Sequence, residues 1–188
     1  MRAIVVLCTL TACGGASVAR TAANLAPSHI EAPYGISLVA SCTPTGPEIC
    51  FNAVDDNCNG VIDEGCGLAT GPLQFTIAWG DSPADVDLRV TDPTGAVVDS
   101  SHPGAPDGLR LERDCPKDAC YGQNIENVLW GGMDPPRGSY SVDVVLADLH
   151  GATLPVPVRF GARIGSRSYG ADMTLDAKDD KKHFVFTL

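Results

Sequence analysis

Apolar and polar residues alternate with a period of two in several stretches after residue 70. In LQFTIAW at 73–79, for example, every second residue is large and apolar. This is the period of a β-strand with one buried face, and turn sequences such as DPTG, PPRG and HGA separate the stretches. The pattern predicts a mainly β fold, an antiparallel β-sandwich of about eight strands over residues 70–188. The predicted inner faces carry Leu73, Phe75, Ile77, Trp79, Val86, Leu88, Val90, Tyr140, Val142, Val144, Leu146, Val156, Val158, Phe160, Ala162, Ile164, Phe184, Phe186 and Leu188.

The N-terminal sequence MRAIVVLCTLTAC has the layout of a secretory signal peptide, with Arg2 before a short apolar run and small residues after it. The run is too short to span a bilayer as a helix, which needs about 20 residues. We therefore predict a signal peptide at 1–12. Residues 13–41 are small and polar without a sustained period, which predicts a flexible tether.

The end of the signal, Leu10-Thr11-Ala12-Cys13, resembles the lipobox of bacterial lipoproteins. The resemblance implies that the chain is cut before Cys13 and that the Cys13 thiol carries lipid. It also implies export and attachment to the cell envelope, at the outer membrane or the cell surface. The alternative is an ordinary signal peptide, cut nearby, in which Cys13 has no role.

Eight cysteines are present, of which Cys8 and Cys13 lie in the signal region. The other six form an even set, and in an exported protein this favours three disulfides over free thiols or a structural zinc site. Cys115 and Cys120 are close enough in sequence to bridge each other. The remaining four recur every eight residues and allow three pairings; they are Cys42, Cys50, Cys58 and Cys66.

These four cysteines delimit a small segment, residues 42–67, which we call the knot. Its sequence VDDNCNGVIDEGC at 54–66 begins like a calcium loop, in which alternate oxygen ligands converge on one ion and a glycine allows a sharp turn. It departs from an EF-hand because Cys66 stands where a bidentate glutamate belongs. The alternative is a metal-free polar turn held by disulfides. The predicted ligands are Asp55, Asn57, Asn59, the carbonyl of Val61, Asp63 and Glu64.

The longer sequence EICFNAVDDNCNGVIDEGC at 48–66 resembles the MopE-like cysteine repeats, described as metal-binding motifs in exported proteins of myxobacteria and related bacteria. The resemblance implies a metal site at the residues just given. It also implies a disulfide between Cys50 and Cys58 within the repeat, and one between Cys42 and Cys66 outside it. The usual repeat has Asp-Gly where this chain has Phe51-Asn52.

The identity of the metal is predicted from the ligands. The family label suggests copper, but carboxylate, amide and carbonyl oxygens without His or a free thiolate favour Ca²⁺. We therefore predict calcium, with copper as the alternative. Because the knot shares no predicted strand with the sandwich, we expect Asp55→Ala to abolish metal binding and to leave the sandwich folded.

Three ordered motifs in the sandwich region resemble the bacterial domain family DUF2135. They are ADVDLRVTDPTG at 84–95, ENVLW at 126–130 and PPRGSYSVDV at 135–144. The resemblance implies a fold far more than a function. Ile125 stands where the family has proline, so any role of that proline is in doubt here.

Acidic and amide side chains outside the knot predict a second cation or ligand site. Two of them share one face of a predicted strand, and the others belong to the loop RDCPKDACYGQNIEN. The alternative is a set of solvated edge charges that bind turn amides. The residues are Asp85, Asp87, Asp114, Asn124 and Glu126.

The net charge of −10 argues against binding to nucleic acid or to anionic lipid headgroups. The sequence has no HExxH or Gly-x-Ser-x-Gly motif, and His29, His102, His150 and His183 stand alone in it. We therefore predict a non-catalytic binding or adhesion module that binds a glycan, a peptide or a surface protein and attaches to a membrane through its lipid. The alternative is a metal-handling surface lipoprotein, and a hydrolase is the third hypothesis.

Overall fold

The computed structural model describes residues 25–40, 42–116, 120 and 122–188. Cys13 and the predicted signal peptide lie outside these residues. The described part of the chain contains no helix long and apolar enough to cross a membrane. Its strands are β1 (His29–Glu31), β2 (Leu73–Ala78), β3 (Asp85–Thr91), β4 (Val97–Val98), β5 (Leu109–Arg113), β6 (Ile125–Trp130), β7 (Ser139–Asp148), β8 (Val156–Ile164), β9 (Arg167–Leu175) and β10 (Lys181–Thr187).

The strands form two five-stranded sheets in which every neighbouring pair is antiparallel. The first sheet has the order β1-β10-β7-β3-β4, and the second has the order β5-β6-β2-β8-β9. The predicted mainly β, antiparallel sandwich is confirmed. The described part of residues 70–188 contains nine strands, β2–β10, where about eight were predicted, and β1 adds a tenth from outside that range. The short edge strands β1 and β4 carry too few residues to show a period.

The core lies between the two sheets and is rich in aromatic rings. Phe160 of the second sheet stacks on Phe184 of the first with ring centroids 4.5 Å apart, and Phe75 lies 5.3 Å from Phe186. Alternation put these side chains on inner faces, and all four are fully buried. Burying one such side chain stabilises a fold by about 1.5–3 kcal/mol, so this core is the main source of the sandwich's stability.

Residues 25–40, part of the segment predicted to be a flexible tether, are attached to both sheets. Leu25 is buried, β1 pairs with β10 at the edge of the first sheet, and Val39 forms a bridge with Gly170 of β9 at the edge of the second. We call residues 32–39, which cross from one edge to the other, the strap. A three-residue strand and a single bridge leave no periodic signal, so the sequence pattern did not show this attachment.

The knot consists of turns without strands and packs on the outer face of the second sheet. Gln74 and Thr76 point to that face, yet both are completely buried. The Ile62 side chain approaches Gly161 of β8, where any side chain would clash with the Ala53 carbonyl. The sheet therefore has a glycine at the position where the knot comes closest.

The predicted pairing of the knot cysteines is wrong. Cys42 bonds to Cys58 and Cys50 to Cys66, so the two bridges interleave, whereas Cys115–Cys120 is confirmed. Hydrogen bonds explain the difference. The Asp63 carboxylate accepts the amides of Asn52 and Ala53, which brings Cys66 to Cys50. Thr45 donates to Asp56 through its amide and its hydroxyl, which brings Cys42 to Cys58.

Candidate functional site

The two aspartates predicted as principal metal ligands hold the backbone of the knot. Asp55 accepts the amides of Asn59 at 3.0 Å and Gly60 at 2.9 Å. Asp63 accepts the amides of Asn52 at 3.1 Å and Ala53 at 3.0 Å and is fully buried. Burial raises the pKa of Asp63, and these amide hydrogen bonds oppose the rise. Asp63 thus supports the turn, whereas Asp55 lies beside the asparagines.

Asn57, Asn59 and Glu64, three other predicted ligands, converge at one point. The side-chain amides of both asparagines contact Glu64 Oε1, with a distance of 2.5 Å for Asn57. Asn57 Oδ1 and Asp55 Oδ1 accept the same amide, that of Asn59, each at 3.0 Å. Glu64 Oε2 is buried and has no hydrogen-bond partner among the described residues. Four of the six predicted ligands therefore meet on one side of the knot.

Gly60 and Val61 set the turn between these ligands. Gly60 has a φ of +85°, and a Cβ there would clash with the Ser166 carbonyl. The Val61 amide donates to Asn59 Oδ1 at 2.9 Å, so the asparagine fixes the backbone where the predicted carbonyl ligand lies. Only glycine combines this φ with such close contact to the β8–β9 turn, and the calcium-loop pattern also has glycine at this position.

The sandwich contributes two residues to this site that sequence reasoning missed. Ser168 of β9 donates to Asp55 Oδ2 at 2.7 Å. Burial lowers the pKa of Arg163 on β8, and the nearby charges of Asp55 and Glu64 oppose that change. No local motif marks either residue, because each lies about a hundred positions from the knot. Asp55→Ala would therefore also break a contact between knot and sandwich.

Glu48 is a third missed residue, although it stands inside the repeat. Its Oε2 accepts the amides of Asp56 and Asn57, and its Oε1 accepts that of Asp63 at 2.9 Å. Burial raises the pKa of Glu48 to about 7, and the charges of Glu64 and Asp56 add to the rise. Its position two residues before Cys50 was the available signal. Glu48 binds the segments that carry the ligands to each other.

The fit of the knot to a metal depends on the kinds of donor atom that it offers. Among the described residues, no group of three or more His, Cys, Asp or Glu side chains is arranged to hold a metal ion. The predicted set differs from such a group, since it includes two asparagine amides and a backbone carbonyl. Hard oxygens of these kinds suit Ca²⁺, and the buried, unpartnered Glu64 Oε2 is an oxygen that a cation would satisfy. The residues thus fit an oxygen-ligand cation.

The second predicted site is only partly assembled. Glu126 is buried between the sheets, and its Oε2 accepts the Leu88 amide of β3 at 2.6 Å. Burial raises the pKa of Glu126 well above its usual value, the Leu88 hydrogen bond opposes this, and the charges of Asp87 and Asp114 add to it. Asn124 instead donates to the carbonyls of Gly80 and Ser82.

Asp85, the fifth residue of that set, stands at a bulge where β3 begins its pairing with β7. Of the five residues, the structure brings Asp87, Asp114 and Glu126 together. Glu126 also links the two sheets through its hydrogen bond with Leu88. Asn124 holds the turn after β2.

Three of the four histidines pair with an acid on the surface. His183 Nδ1 lies 2.6 Å from Asp143 Oδ1, and His102 Nδ1 lies 3.0 Å from Asp99 Oδ1. His29 contacts Glu31 at 3.0 Å. His150 lies at a turn after β7 with a φ of +44°. The His183–Asp143 pair could not be predicted from the sequence, because only the strand register sets these residues opposite each other. The other two pairs are local, with partners two and three residues apart.

A groove of about 1060 Å³, which we call the β9 groove, lies where the strap leaves β9. The apolar part of its lining includes Trp79, Val158 and Met173. Residues 33–36 of the strap form another part of the lining. Pockets of this volume accept small ligands or short peptide segments. The groove was not predicted, because its lining comes from several segments that are distant in sequence.

Comparison with known proteins finds no matching family model, no matching curated protein and no matching solved structure. The resemblances drawn from the lipobox, the cysteine repeat and the sandwich motifs therefore stay predictions.

Proposed function

We propose that the protein is a lipid-anchored surface protein of the cell envelope. It acts as a non-catalytic binding module with a calcium-type site in the knot. The proposed ligands are Asp55, Asn57, Asn59, Glu64 and the carbonyl of Val61. Asp63 is a positioning residue in this proposal, since its carboxylate holds the Asn52 and Ala53 amides.

The observation that supports the calcium site best is the convergence of Asn57 and Asn59 on Glu64, whose Oε2 is buried without a partner. When bound, Ca²⁺ would offset the negative charge of Asp55 and Glu64, which Arg163 offsets only in part. Interleaved disulfides hold the loop in shape beforehand, and this lowers the ordering cost of binding. With only two charged ligands, we expect affinity on the order of 10⁻⁴ to 10⁻³ M, as in extracellular modules.

The lipid anchor rests on Leu10-Thr11-Ala12-Cys13 alone. Replacing Cys13 by Ser should release the protein from the membrane fraction of cells that express it. Unchanged fractionation and unchanged mass after this substitution would overturn the anchor and leave the calcium site untouched.

Calorimetric titration of Ca²⁺ and Cu²⁺ into the purified protein tests the metal site. We expect heat from Ca²⁺ at millimolar concentration, and we expect Glu64→Gln to remove it. This substitution keeps the size of the side chain and removes one charge, and unlike Asp55→Ala it breaks no hydrogen bond to Ser168. Glu31→Gln, on β1 at the edge of the first sheet, removes the same charge and should leave the heat unchanged.

Two results would contradict the calcium site. If Ca²⁺ gives no heat, or the same heat with Glu64→Gln, the knot is a disulfide-held polar turn. Tight Cu²⁺ binding that Glu64→Gln removes would assign the site to copper and favour the metal-handling alternative.

A further inference from the structure

One edge of the second sheet is only partly covered. Val39 of the strap and Gly170 of β9 exchange two backbone hydrogen bonds, of 2.9 and 3.0 Å. In an antiparallel ladder the outward-pointing amides and carbonyls recur at every second residue. The groups of Asp172 and Thr174 therefore point to the same edge as those of Gly170.

The strap does not continue this ladder. It turns away at residues 33–36, where the Ile36 amide donates to the Pro33 carbonyl at 3.0 Å. Among the described residues, the backbone groups of Asp172 and Thr174 form no bond on that edge. Opposite Thr174, β8 has Pro157, which has no amide to donate, as expected where β8 and β9 exchange no hydrogen bond.

These free backbone groups border the β9 groove. Met173 and Val158, neighbours in adjacent strands, line it together with Trp79. Most charges beside it are paired: Arg159 with Asp172 at 2.6 Å, Lys182 with Asp180 at 3.0 Å, and Lys181 with Asp143 at 3.6 Å. Asp81, which also lines the groove, is exposed at its rim. The groove thus offers backbone hydrogen bonds and an apolar wall, and the cations Arg159, Lys181 and Lys182 are all paired with carboxylates.

We propose that the edge of β9 at Asp172–Thr174 binds an extended peptide segment of a partner protein, whose alternate apolar side chains enter the β9 groove. Such a segment would pair with β9 as an added strand, on the edge where Val39 forms a single bridge with Gly170. Main-chain bonds supply affinity, and the groove selects the side chains. Since the cations that line the groove are paired and its wall is apolar, the preferred residues are apolar and not acidic. This inference names the partner class of the binding module proposed above and rests on that proposal.

Thr174 offers a matched pair of variants. Thr174→Pro removes the outward amide, and the β8 ladder loses nothing because this amide does not point to β8. Thr174→Val keeps the amide and removes only the hydroxyl. Circular dichroism and thermal melting of both variants check that the sandwich is folded.

The probes are acetylated octapeptides in which Val, Leu or Phe alternates with Thr, with a Lys at each end for solubility. They are titrated up to about 1 mM into ¹⁵N-labelled protein and followed by NMR. We expect shifts at the amides of Gly170, Asp172 and Thr174. We expect Thr174→Pro to weaken binding by about tenfold, as the loss of a hydrogen bond predicts, and Thr174→Val to leave it unchanged.

Peptides with N-methyl groups at alternate residues separate strand addition from simple apolar binding. Methylation in the register that faces β9 should abolish binding, and methylation in the other register should preserve it. Equal effects in both registers, or no binding by any octapeptide, would overturn the inference. Concentration-dependent dimerisation that Thr174→Pro removes would also overturn it, by assigning the edge to a second copy. The calcium heat of Thr174→Pro should equal that of the unmodified protein, so failure here is distinct from failure of the metal site.

Discussion

The sandwich and the knot reach a fixed structure by different means. The sandwich buries more than twenty large apolar side chains between two sheets, whereas the knot buries only two apolar residues, Ala53 and Ile62. It also buries three aspartates, Asp55, Asp56 and Asp63, and carries two disulfides. A segment too small for its own core thus depends on covalent bridges and on carboxylates that bind backbone amides.

The contact between the two regions is unequal. The sheet face under the knot is polar, since Gln74 donates to Thr76 at 3.1 Å and Thr76 donates to Asn127 at 2.9 Å. Water could satisfy these groups if the knot left. The knot, by contrast, rests its one large buried apolar side chain, Ile62, on that sheet. We therefore expect the sandwich to survive loss of the knot, and the knot to depend on the sandwich.

The largest expected effect comes from removing a knot disulfide. Replacing Cys50 and Cys66 by Ser opens a 16-residue loop, which should cost the knot about 3 kcal/mol. Since the knot has almost no core to compensate, we expect it to unfold while the sandwich stays folded. Amide hydrogen exchange should become fast over residues 51–66 and stay slow in β2 and β7.

Replacing Cys115 and Cys120 by Ser is the matched control, and amide exchange in the knot should stay slow in this variant. Peptide mapping of the unmodified protein without reduction should recover the Cys42–Cys58 and Cys50–Cys66 pairs. Fast exchange throughout β2 in the knot variant would show that the sandwich depends on the knot and would reverse the comparison.

A smaller effect is expected at the surface between the two regions. Gly161→Ala places a Cβ against the Ala53 carbonyl and the Ile62 side chain. The backbone of the knot must move to make room, which should weaken the packing of the knot on the sheet by about 1–3 kcal/mol. Gly170→Ala is the control on the paired residue of β9, since its Cβ meets only the flexible end of Arg159. Urea unfolding of both variants, with exchange as a second measurement, checks this. Equal losses would mean that the knot is not held at Gly161.

The smallest effect concerns the sandwich alone and depends on pH. Burial raises the pKa of Glu126 above its usual 4.5 in the folded protein. The folded carboxyl therefore keeps its proton where the unfolded chain has lost it, and stability falls as pH rises above that value. Glu126→Gln cannot titrate, so its stability relative to the unmodified protein should increase between pH 5 and pH 8. If the difference in urea midpoint between Glu126→Gln and the unmodified protein stays constant over this range, the raised pKa of Glu126 is refuted.

Much of the sandwich could be predicted from the sequence, because its strands carry a local period. Residues such as Phe75 and Val144 alternate with polar neighbours, and both are fully buried. The same rule failed for Thr76, which alternation places on a solvent face and which the knot covers. Its burial depends on a contact with a segment that the strand pattern does not describe.

The candidate site was harder to predict for the same reason. Asp55, Asn57 and Glu64 could be named because the loop pattern is local. Ser168 and Arg163 could not, since folding alone brings β8 and β9 to the knot. The disulfide pairing also depended on nonlocal bonds, because the Asp63 carboxylate decides which cysteine lies next to Cys50.

The interleaved bridges also decide how the protein would respond to a protease. Every peptide bond between Cys42 and Cys66 lies inside at least one of the two bridged loops, and those between Cys50 and Cys58 lie inside both. A single cut anywhere in this span leaves the two pieces covalently joined. The nicked chain would then migrate as one molecule on a gel until a reductant separates it into fragments.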